Sequence, residues 1–188
     1  MHAVPAIKSL GLISVFILAS GLLFLVVHWP QSRHATFSNH AAAQRTTIWY
    51  YIGLFGISLP LLLIFFGWWF VPTLHLTPWF LLLALGSELL QHIVTIIPEV
   101  GGWKTTWHRW LTAGSSLLLL PMLGILLTSN VLGLPTRSVA AISLTGLVLI
   151  VFYQVLIANK AEPKNQLLFQ AAYYGLFFVP IIMATYIG

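Results

Sequence analysis

Cysteine is absent from this chain, and so is aspartate. Without a thiol there is no disulfide, no thiolate metal site, no cysteine nucleophile and no thiol redox chemistry. Charge is scarce as well. Eight Lys and Arg and three acidic residues amount to 6% of the 188 residues, whereas a soluble domain carries about a quarter. A water-facing surface cannot be built from so few charges. With 59% hydrophobic residues and a mean hydropathy of +0.95, the solvent that suits this surface is lipid. The net charge of +5 is not gathered on any one helix or loop, which argues against a nucleic-acid partner. In a membrane protein it reads as a topology signal and as attraction to anionic headgroups.

What the chain has instead is apolar length. Six segments stand out, roughly 7–28, 47–70, 77–97, 108–128, 138–158 and 167–187, each about the 20 residues that a helix needs to cross ~30 Å of hydrocarbon. The pattern predicts an all-α integral membrane bundle, a single polytopic domain over 1–188 with both termini on the same side. The first segment is too long for a signal-peptide core and no polar domain follows it, so it is read as a retained span. Pro30, Pro72, Pro78, Pro98 and Gly101-Gly102 punctuate the connections. Pro60, Pro121 and Pro180 fall inside spans, where neighbouring helices can satisfy the freed carbonyls. Ala84, Gly86 and Ser87, and Ala113, Gly114, Ser115 and Ser116, would let helices approach closely.

The connections differ in charge. The odd-numbered ones carry Arg33, Arg45, Lys104, Arg109, Lys160 and Lys164, and the opposite face only Lys8 and Arg137. This asymmetry predicts that the odd-numbered connections are cytoplasmic and both termini outside. Polar chemistry gathers on the same face. His28, His34 and His40 lie in or beside the first connection, His92 and Glu99 end the third span, and His108 and Arg109 begin the fourth. Five of the eight tryptophans fall there too: Trp29, Trp49, Trp103, Trp107 and Trp110. Tyr173 and Tyr174 are expected beside them.

Glu88 is the sharpest single residue. It falls near the middle of the third span, where a carboxylate costs roughly 2–4 kcal/mol, so it should face the bundle interior. His92 is one turn nearer the polar face on the same side of the helix. The pair suits a proton relay, a ligand pair or a buried hydrogen bond, and these two are the candidate catalytic groups. His108 and Arg109 are expected to open the fourth helix, whose free N–H groups favour anions. Arg109 can hold a phosphate or carboxylate bidentately. The ligand-binding set is therefore His108, Arg109, Glu99, His34, His40 and Trp107, with a lipid headgroup or another amphiphile as the expected ligand.

Two other function classes use the same residues. His34, His40, His92 and His108 could serve a zinc-dependent membrane hydrolase, although no HExxH motif occurs and aspartate is missing. His92 and His108 stand at one face on consecutive spans and could ligate a haem b, although the last two spans have no histidine. A transporter lacks its usual marks here: there is no second intramembrane carboxylate and no inverted repeat. The composition leaves a homo-oligomer or a larger complex open.

Three short stretches carry a resemblance. They are Ala35-Thr36-Phe37-Ser38-Asn39 before the second span, Ile96-Ile97-Pro98-Glu99 closing the third, and His108-Arg109 with Ala113 opening the fourth. With the hydropathy profile they make the chain similar to the bacterial six-span proteins of domain-of-unknown-function family 998, which are distantly similar to eukaryotic autophagy-modulator and lipid-remodelling membrane proteins. The family's acidic residue in the first connection is replaced by Ser38-Asn39. The resemblance implies a helical bundle and transfers no catalytic residue.

Overall fold

A computed structural model describes residues 3–31, 35–97, 101–156 and 165–187. Among these residues there is no strand. The chain forms α1 (Ala3–His28), a short α2 (Phe37–Ala42), α3 (Arg45–Phe65), α4 (Trp79–Ile96), α5 (Gly102–Thr128), α6 (Leu134–Leu156) and α7 (Gln166–Tyr186). Beyond Phe65, α3 runs on through a π-helical turn (Phe66–Phe70) and a last α-helical turn (Val71–Thr73). All but α2 are long and apolar enough to cross a membrane. Large side chains such as Phe16, Trp68 and Leu149 are exposed on their outer faces. Apolar residues inside and outside together define an integral membrane protein.

The helices pack in chain order, α1 on α3, α3 on α4, then α5, α6 and α7, with α7 returning to α1. The start of α1 and the end of α7 lie at one end of the bundle, as expected for six spans. The Lys8 ammonium sits 5.2 Å from the centre of the Trp69 ring and 4.7 Å from that of Tyr186, which ties the start of α1 to the ends of α3 and α7.

Small residues set the contacts, because lipid tails leave van der Waals packing as the main attraction between spans. Ser87 and Ser115 hydrogen-bond across α4 and α5, their hydroxyls 3.0 Å apart. A Cβ on Gly86 would lie 3.2 Å from Leu118, and one on Gly114 3.4 Å from Leu90. Ala113 is exposed and takes no part in this contact. Deeper toward the termini the core is aromatic: Phe65, Phe66, Phe70 and Phe80 are all 1% exposed or less. The π turn makes part of this cluster. Phe65 and Phe70, five residues apart, would point in divergent directions on an α-helix, yet their rings are 5.3 Å apart.

Two local outcomes differ from the sequence expectation. The first connection is not all loop: Thr36 and Asn39 form a reciprocal capping box that starts α2, four of whose six residues are buried. The fourth span starts at Gly102 rather than at 108. Gly101 and Gly102 take φ of +97° and +60°, which turns the chain, and nothing in Trp103-Lys104-Thr105-Thr106 then interrupts the helix. His108 and Arg109 therefore lie in the second turn of α5, below the free N–H groups they were expected to accompany. At 27 residues α5 is ~40 Å long, so about two turns exceed the hydrocarbon thickness.

Candidate functional site

Of the four described histidines of the polar face, His28 stacks on Phe24 and the other three share one arrangement. His40 Nδ1 donates to the Trp29 carbonyl at 3.1 Å, His92 Nδ1 to the Glu88 carbonyl at 2.9 Å and His108 Nδ1 to the Ile97 carbonyl at 2.7 Å. A carbonyl only accepts, so each Nδ1 carries the hydrogen and the neutral ring keeps its lone pair on Nε2. Two of these bonds occupy carbonyls at or just beyond the ends of α1 and α4, which have no further helix to bond. His40 thereby holds α2 to the end of α1, and His108 holds α5 to the end of α4. His40 is 1% exposed, and its Nε2 is buried without a partner.

The expected Glu88–His92 pair does not form between side chains. His92 bonds the Glu88 backbone oxygen, because an i−4 carbonyl is within easy reach of a ring in the last turns of a helix. The Glu88 side chain is 5% exposed, and neither carboxyl oxygen has a hydrogen-bond partner. Its level in the bundle is a polar layer. Ser87 pairs with Ser115, and the Tyr173 hydroxyl donates to the Ser116 carbonyl at 2.8 Å. Tyr173, expected at the membrane face, reaches inward two turns below the start of α7. No periodicity signals that bond, because Ser116 is 57 residues away.

Under α2 lies a narrow slot lined by Ser38, Ala41 and Ala42 of α2, Ile48 and Tyr51 of α3, Val94 and Thr95 of α4, Ile97, and His108. Its volume is ≈ 10 Å³, about what one water requires and far below the roughly 300 Å³ of a small-molecule site. A haem does not fit the space that His108 faces. Among the described residues no three His, Asp or Glu side chains gather as a zinc site would need. His34 and Glu99 lie outside the described residues.

Trp107 and Arg109 point elsewhere. Trp103, Trp107 and Trp110 are 68%, 57% and 71% exposed and recur at helical spacing on one stripe of α5. The buried residues His108, Ser115, Leu119, Met122 and Leu126 form a separate stripe, about a third of a turn away. Lys104 and Arg109, both exposed, flank the tryptophans on either side. A wider cleft of ≈ 360 Å³ opens at the other end of the bundle, between the α3–α4 and α5–α6 turns. It includes His75, a left-handed residue with φ of +49°. Sequence reasoning passed over it, since a lone histidine in a short turn carries no spacing signal.

The chain matches no protein-family model, no curated protein and no solved structure.

Proposed function

We propose that this integral membrane protein holds an anionic lipid headgroup at the rim formed by the first turns of α5. The observation that carries the reading is the exposed stripe of Trp103, Trp107 and Trp110 between Lys104 and Arg109. Tryptophan faces suit the boundary between acyl chain and headgroup. The Lys104 ammonium and the Arg109 guanidinium, one on each side of the stripe, each suit a phosphate. The slot under α2 is too small for a headgroup, so the lipid sits against the outside of α5 rather than within the bundle. Cytoplasmic odd-numbered connections, a bacterial inner membrane and membership of family 998 belong to the same proposal.

The double variant Lys104→Gln with Arg109→Gln tests it. Each basic side chain near an anionic surface contributes about 1 kcal/mol, so the pair should weaken phosphatidylglycerol binding by about ten- to thirty-fold. Native mass spectrometry of the detergent-solubilised chain, titrated with phosphatidylglycerol and with phosphatidylcholine, reads both affinities. Phosphatidylcholine binding should be nearly unchanged. Equal loss for both lipids, or none for either, removes the basis of the proposal.

A further inference from the structure

We propose that Glu88 is a proton-binding site inside the membrane, served from the α2 end of the bundle through the slot that Thr95 and His108 line. The inference rests on the bundle interior and does not depend on the lipid rim of α5.

Three observations lead to it. The first is that the carboxyl is unpartnered: Glu88 is 5% exposed and neither oxygen accepts a hydrogen bond. Buried polar groups are nearly always paired, and an ionisable group kept unpaired at bilayer depth marks function by default. The second is space: among the described residues no three His, Asp or Glu side chains gather, and Glu88 lines neither the slot nor the wider cleft. A hard metal cation needs about six oxygen ligands around it, and an organic ligand needs a cavity. A proton needs neither.

The third observation is the route. Thr95 is seven residues from Glu88 on the same flank of α4, two turns and ~10 Å nearer the membrane face. Gln91 and His92, both partly buried, occupy the turn between them. Thr95 lines the slot, whose ≈ 10 Å³ is room for about one water. His108 lines it too, and with Nδ1 committed to the Ile97 carbonyl, Nε2 is the ring nitrogen that remains for a further hydrogen bond.

The helices packed against α4 bring few other charges. Their titratable residues are Arg45, Tyr50 and Tyr51 on α3 and Lys104, His108 and Arg109 on α5, with His92 on α4 itself. All lie toward the slot end, and none hydrogen-bonds the Glu88 carboxyl.

Infrared spectroscopy of the full chain in liposomes tests the proposal, helped by there being only three acidic side chains, Glu88, Glu99 and Glu162. The wild type should show a protonated-carboxyl C=O band that Glu88→Gln removes and that shifts within minutes of transfer to D2O. Filling the slot with Ala42→Trp or Thr95→Leu should slow that shift about tenfold or more, as closing an exchange path does. Helical circular dichroism and a monodisperse elution profile show that each variant is folded; if Ala42→Trp is not, Thr95→Leu decides. The site is disproved if Glu88→Gln removes no such band. It is also disproved if the band is present but does not exchange over a day, which makes Glu88 a sealed packing residue. Exchange at the wild-type rate in a folded slot variant disproves the route.

Discussion

Replacing Phe70 by alanine should cost about 3–5 kcal/mol of bundle stability, the range for removing a fully enclosed aromatic ring. Phe70 is 0% exposed and touches Phe65, Phe66 and Phe80 at centroid distances of 5.3, 5.5 and 5.4 Å. In a membrane the loss is not of hydrophobic burial, since lipid is as apolar as the core. It is of dispersion contacts and aromatic geometry, which lipid chains cannot restore in a closed cavity. Steric trapping in bicelles measures the difference. Trp68→Ala, two residues away, makes the control: that ring is 75% exposed, and its loss should change stability by less than about 1 kcal/mol.

Gly21→Leu should be comparably damaging, at about 3 kcal/mol, for the opposite reason. A Cβ at Gly21 would run into Leu54, whose Cδ1 is the nearest atom and whose Cδ2 lies at 2.8 Å. Leu54 is 8% exposed and has little room to turn aside. A leucine would force α1 and α3 apart and would loosen the 3.0 Å hydrogen bond from the Tyr50 hydroxyl to the Gly21 carbonyl. The mechanism carries its own check. Gly21→Ala should be partly rescued by Leu54→Ala, giving a favourable coupling of about 1 kcal/mol in a double-mutant cycle. Additive losses would show that the clash is not what glycine avoids there.

Both predictions concern contacts of different legibility. The close approach of α4 and α5 could be read directly, because Gly86, Ser87, Gly114 and Ser115 are small residues in runs of large ones. That Gly21 meets Leu54 could not, since the pairing of α1 with α3 depends on a register that hydropathy does not encode. The six spans were legible because about 20 apolar residues admit no alternative in lipid. The π turn was not, since Phe66–Phe70 differs from an α-helical run only in backbone bonding.

The site was legible as a neighbourhood and not as a geometry. Histidines do gather at one membrane face. Their pairing with carbonyls eleven residues back, His40 with Trp29 and His108 with Ile97, arises where the chain reverses, and no helical or strand period marks it. Trp107 and His108 are neighbours in sequence yet fall on different faces of α5, one exposed and the other buried, because successive helical residues are about 100° apart. The apolar run alone predicts a start near 108, but the polar Lys104-Thr105-Thr106 is helical as well. It belongs to the turns by which this 27-residue helix exceeds the ~20 residues that a span requires.

Because α5 starts at Gly102, the proposed headgroup site is on its outer face, where it can be tested directly. In bilayers mixing phosphatidylglycerol with phosphatidylcholine, either lipid can be supplied with brominated chains, which quench nearby tryptophan. The quenching owed to Trp103, Trp107 and Trp110 is the difference between wild type and the variant with all three changed to phenylalanine. The account predicts that this difference is larger when phosphatidylglycerol carries the bromine at equal mole fraction, and that the excess falls with added salt. Equal quenching by the two brominated lipids at low salt would contradict it.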